Sequence, residues 1–224
     1  MTGPSFFPPV PEAPTLDEVD DSGDLVGHRW AGPPRRHRAG VAAFSVLAGR
    51  SGTTAVLLEG ARCFASGVEL TMVVELRELS RRARGRVFDD LSVSYGRGQL
   101  AMALPPGGLR WGLALADGRR VTTLDDGGWA SMPDDADPET WVPDRPVLEP
   151  LGGRPSVEGS TWRRRVWLWP LPPPGPLQVV AAWPDRGIAE TSTTVDATPL
   201  VEAAAHAEPL WGEGRGDEHR PPRR

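Results

Sequence analysis

The sequence predicts an all-β protein, an antiparallel β-sandwich with one short C-terminal helix. Three observations lead there. Short apolar–polar alternations recur along the chain. Turn residues interrupt them at close intervals, with 26 glycines and 25 prolines among 224 residues. No helical segments alternate with the strands, as a parallel βαβ fold would require.

Residues 1–24 are rich in Pro, Asp and Glu and read as a disordered arm, and residues 212–224 read as a disordered tail. A single β-sandwich domain is expected over residues 25–211, long enough to bury on the order of 70% of its unfolded surface. Thr53 to Ala65 is apolar on both faces and suits a central strand, joined to the next through Ser66-Gly67. In that next strand Val68, Leu70, Met72, Val74 and Leu76 point one way, while Glu69, Thr71, Glu75 and Arg77 point the other. This is the period of two of a half-buried strand, broken only at Val73. Arg77 to Asp90 carries a weak helical pattern.

Leu109 to Ala116 alternates again through Trp111, Leu113 and Leu115. Asp117-Gly118 follows as a hairpin signal of type I′, and Arg119 to Leu124 is the return strand. Arg163 to Trp169, Leu177 to Trp183 and Ile188 to Val195 supply three more strands. The first two are joined by the proline-rich run Leu171 to Pro176, which stiffens the connection. The C-terminal helix opens at Thr198, with Pro199 at a position where its missing N–H costs nothing, and stops before Pro209.

Composition excludes several chemistries. All 25 residues in the Lys+Arg count are arginine. Without lysine there is no Walker-type phosphate loop, no kinase strand lysine and no Schiff base to pyridoxal phosphate. Asparagine is also absent, which removes any N-glycosylation acceptor, and Ile188 and Tyr95 are single representatives of their types. These residues have AT-rich codons, so a GC-rich genome accounts for the bias. The one cysteine, Cys63, forms no internal disulfide and excludes multi-cysteine metal sites. A net charge of −5 argues against a nucleic-acid surface. The N-terminal residues lack a basic, apolar leader, and no run approaches the roughly 18 apolar residues of a membrane span. A cytoplasmic protein with no cofactor, no metal and no membrane contact is expected.

The run Trp167-Leu168-Trp169-Pro170-Leu171-Pro172-Pro173-Pro174-Gly175-Pro176-Leu177 is followed by Trp183-Pro184 and Gly187-Ile188-Ala189-Glu190-Thr191. Together they resemble a group of uncharacterised proteins from GC-rich bacteria. The Ala116-Asp117-Gly118-Arg119-Arg120 turn and Leu151-Gly152-Gly153 are similar to segments of the same group. The resemblance spans about residues 40–205 and implies a shared fold. It implies no activity and no catalytic residue.

Local motifs are weak. Gly96-Arg97-Gly98-Gln99-Leu100-Ala101, after Leu91 to Tyr95, imitates a dinucleotide fingerprint, but Pro105-Pro106-Gly107-Gly108 halts the helix that fingerprint needs. His28, His37, His206 and His219 lack the spacing of a zinc site. No Gly-x-Ser-x-Gly elbow occurs, and Cys63 in its apolar run reads as an inert thiol. Asp125, Asp126, Asp134, Asp135, Asp137, Glu139 and Asp144 form a solvated acidic loop without the calcium pattern. Arg81 to Arg86 is a short basic patch of solvated surface.

The candidate ligand-binding residues are Arg163, Arg165, Trp167 and Trp169, which share one strand face and combine stacking surfaces with forked donors. The competing reading, which is preferred, puts both tryptophans in the core against Leu177, Val179, Ala181 and Trp183. The expected function is that of a non-catalytic protein-interaction or accessory protein with a protein partner. The alternative is a small-molecule or carbohydrate binding module using the Arg/Trp face. The third reading is an enzyme without a local signature.

Overall fold

In the computed structural model, residues 28–96, 104–151 and 156–211 are described. The segments expected to be a disordered arm and tail, 1–24 and 212–224, lie outside them. In chain order the strands are β1 (His37–Arg38), β2 (Gly40–Arg50), β3 (Thr54–Phe64), β4 (Gly67–Leu76), β5 (Arg110–Ala114), β6 (Arg120–Thr122), β7 (Val147–Pro150), β8 (Ser156–Glu158), β9 (Thr161–Trp169), β10 (Pro176–Trp183), β11 (Ile188–Asp196) and β12 (Glu208–Pro209). Helix α1 (Arg81–Gly96) precedes β5, and α2 (Thr198–Ala204) precedes β12. The chain is mainly β, and every strand pairing is antiparallel.

A six-stranded sheet runs in the order β2-β3-β4-β9-β7, with β8 also paired to β9. A four-stranded sheet runs β11-β10-β5-β6, and β1 with β12 forms a separate pair. Val68, Leu70, Met72, Val74 and Leu76 of β4 are all buried, as the alternation predicts. They join Val56, Leu58 and Cys63 of β3, Trp111 and Leu113 of β5, and Leu177, Val179, Ala181 and Trp183 of β10 in one hydrophobic core. Leu200, Ala203 and Ala204 of α2 and Phe88 and Leu91 of α1 enter the same core. At about 1.5–3 kcal/mol for each large apolar side chain, this shared core is the main stabilising term. The edge strands of the two sheets are also fastened to each other. Thr191 of β11 donates its hydroxyl to the Ala48 carbonyl at 2.5 Å, and Thr193 donates to that of Leu47 at 3.2 Å.

Three sequence expectations need correction. The first is the helix count. Arg77 to Asp90 shows only a weak pattern, yet α1 is a helix of 16 residues. Ser80 caps it, its hydroxyl accepting the Ala83 N–H at 3.2 Å, while four arginines and Gly85 in the first turns obscure the apolar stripe. Leu91 to Tyr95 are therefore the last turns of a helix, the reverse of the order a dinucleotide site needs, and residues 97–101 of that motif lie outside the described residues.

The second is the β5–β6 turn, where Gly118 has φ +86 and Asp117 is not among the residues with positive φ. Gly118 N–H bonds the Leu115 carbonyl at 3.0 Å, so the connection is a three-residue turn with a left-handed glycine, not a type I′ turn.

The third concerns β9. Trp162, Arg164, Val166 and Leu168 face the main core, and Trp167 does not pack there against Leu177, Val179, Ala181 and Trp183. Trp167 is buried on the opposite face in a smaller cluster with Phe64 and Leu151, which Trp169 borders. The even positions of β9 offer three large apolar side chains against two at the odd positions, and this outweighs the cost of burying Arg164 with them. Burial, and the adjacent Arg165 charge, lower the Arg164 pKa.

Candidate functional site

Strand register carries one row of side chains across the outer face of the large sheet. Val41 is opposite Arg62, Arg62 opposite Glu69, Glu69 opposite Trp167, and Trp167 opposite Glu149. The sequence-derived candidates lie on this face. Arg163 is half-buried opposite Val73, Arg165 is exposed opposite Thr71, and Trp169 is half-buried. Glu69, only 4% exposed, accepts Arg62 at 2.8 Å and Arg165 at 3.3 Å. Arg165 is thus committed to a buried carboxylate.

Trp167 has no accessible surface at all. Phe64 meets its ring edge-on at 5.9 Å, and it lies so close over Gly67 that a Cβ there would be 2.6 Å from the ring. Its indole N–H donates to the Arg29 carbonyl at 3.3 Å. A ring covered in this way has no π-face to offer a ligand. Of the four candidates, Arg163 and Trp169 retain open surface without an ion pair among the described residues.

The Trp167–Arg29 bond leads to a site that sequence reasoning missed. Next to Arg29, Trp30 is 2% exposed and is enclosed by other rings. His28 stacks on it at 5.2 Å, Trp129 approaches at 4.7 Å, and Trp141 meets it edge-on at 5.3 Å. The Trp30 indole donates to the Trp141 carbonyl at 3.1 Å. Beside this cluster Glu149, also buried, accepts the Gly128 N–H at 2.5 Å. Burial pushes the Glu149 carboxyl above its ordinary range, and the Gly128 bond only partly offsets this. Trp129 and Trp141 come from the loop that composition marks as acidic and solvated. Their pairing with Trp30 spans about a hundred residues without periodicity, so no local signal announces it.

On the other side of His28 opens a cleft of about 680 Å³. One wall is the segment His28 to His37, which contributes His28, Arg29, Arg35 and His37. Phe64 and Ser66 from the β3–β4 turn, with Ala207 and Pro209, complete it. The described lining contains no carboxylate. Arg36, between two lining residues, has φ +55, a left-handed conformation costly for an arginine. It is held there because its carbonyl accepts the Leu210 N–H at 2.7 Å, while β1 pairs with β12. His37 Nδ1 lies 2.8 Å from the Arg35 carbonyl, and since a carbonyl only accepts, this nitrogen carries the proton.

Cys63 is buried, and burial pushes its thiol up to about 11, so it supplies no thiolate at neutral pH. Two carboxylates of the acidic loop are tied up locally. Asp125 accepts the Thr122 N–H and hydroxyl, while Asp137 accepts the Glu139 N–H and the Thr140 hydroxyl. Among the described residues no three His, Cys, Asp or Glu side chains are grouped to hold a metal ion. No described helix is long and apolar enough to cross a membrane.

The chain matches no family model, no curated protein and no solved structure. Its function therefore has to be read from its own surfaces.

Proposed function

We propose that this chain is a non-catalytic accessory protein of the cytoplasm that acts by binding a protein partner. One observation supports this most. Leu210 and Trp211 are 54% and 66% exposed, side by side, on a backbone fixed by the Leu210–Arg36 hydrogen bond. Exposed tryptophan on a held ledge is the residue type that anchors protein interfaces, since it buries a large apolar area with little rotamer entropy to lose. The partner this ledge suits is a protein surface with an apolar pocket.

Selection of binders from a displayed peptide library against the intact protein tests the reading. Binders should be rich in apolar anchors, and Trp211→Ala should weaken them by about 2 kcal/mol or more. Binders indifferent to both Trp211→Ala and Leu210→Ala would overturn it.

A second reading, a small-molecule or carbohydrate module on the Arg/Trp face, is favoured only by the open surface of Arg163 and Trp169. The burial of Trp167 and the Arg165–Glu69 pair leave it the weaker of the two.

A further inference from the structure

The cleft beside the ledge differs from it in charge. The chain as a whole is acidic, at −5, yet the described lining of this cleft holds two arginines, two histidines and no carboxylate. Among the described residues neither Arg29 nor Arg35 forms an ion pair, so both guanidinium groups are open to a ligand. Their own carbonyls are already occupied, that of Arg29 by the Trp167 indole and that of Arg35 by His37. The strained Arg36 between Arg35 and His37 is held by the β1–β12 pairing, so the wall is set before any ligand arrives. Apart from Ser66, the side chains of the remaining lining are apolar, among them Pro33, Pro34, Ala207, Pro209 and Phe64. A cleft of about 680 Å³ is the size that takes a small organic molecule.

We infer that this cleft binds a small organic anion, an oxyanion head (phosphate or carboxylate) carried on an apolar body. The guanidinium forks of Arg29 and Arg35 meet the head, because planar paired N–H donors match both oxyanions. The proline and alanine surface takes the body. The site is separate from the Leu210–Trp211 ledge and does not depend on the protein-partner reading.

Calorimetric titration of the full chain with phenyl phosphate, benzoate, phenol and inorganic phosphate tests it. Phenyl phosphate or benzoate should bind at least about tenfold more tightly than phenol, and whichever binds better names the head. Either should also exceed inorganic phosphate, which lacks the apolar body. Arg29→Ala/Arg35→Ala alters two exposed side chains, so its melt should match the parent, while affinity for the aryl anion falls about tenfold or more. The inference is overturned if neither aryl anion binds, if phenol binds as well, or if the double variant, still folded, binds unchanged. Because none of these probes engages Trp211, Trp211→Ala should leave the titration unaltered, and a large loss there would also count against a distinct site.

Discussion

At Glu149 a carboxylate sits almost wholly out of water, with one backbone N–H as its hydrogen-bond partner among the described residues. Its burial raises the folded-state pKa, so the folded protein takes up this proton more readily than the unfolded chain. The stability this group contributes is full below its ordinary value of 4.5 and is lost as pH rises through the raised folded value. At neutral pH the ionised form is therefore a cost. Glu149→Gln keeps an oxygen for the Gly128 N–H and removes the charge. It should be more stable than the parent at neutral pH, and the gap should close as pH falls through the Glu149 titration. Urea melts of both proteins across that range check this. A parent more stable than the variant at neutral pH would mean that a charged partner compensates the buried carboxylate. Glu69 is the contrasting case, since Arg62 and Arg165 pair with it. The sequence shows Glu69 as a polar position of an alternating strand and gives Glu149 no such pattern. Only the register across β3, β4, β9 and β7 reveals that they flank one buried tryptophan.

Elements differ in how far their sequences declare them. β4 is legible because its alternation is long and almost unbroken, and all five of its inward positions are buried. The faces of β9 are harder to assign, since each carries both arginine and large apolar residues, and local pattern does not tell which face meets the larger core. Helix α1 is hidden by its arginine-rich first turns, although Ser80 stands as a recognisable N-cap. That cap gives the element a test. Ser80→Ala should destabilise the protein by about 0.5–2 kcal/mol, whereas Ser80→Asp should be nearly neutral. Denaturant midpoints and far-ultraviolet circular dichroism would read both, and no loss in either variant would indicate that the helix is held by its Phe88 and Leu91 contacts alone. The cleft was out of reach of sequence reasoning for another reason. Its residues are ordinary one by one, and only the return of β12 to β1 sets them around a common space.

For the molecule as a whole, that same two-residue pairing of β1 with β12 has a mechanical consequence. His37 faces Pro209 and Arg38 faces Glu208, so the two flanks of this short ladder, at Arg36 and Leu210, leave from the same end of it. The Arg38–Glu208 ion pair at 2.9 Å and the Leu210–Arg36 bond add to this clasp. A load applied between the flanks opens such a ladder as a zipper, one bond after another, rather than shearing all its bonds together. Single-molecule pulling on handles attached at positions 36 and 211, inside the Trp30 anchor, should show a small, low-force event before the main unfolding peak. Arg38→Ala should weaken that first event and leave the main peak in place, and a single peak at high force would show that the clasp and the core yield together. The parting of this ladder would also release Arg36 from its left-handed turn and dismantle the cleft wall. Tension on the flanks would then empty the anion site while both large sheets remain folded.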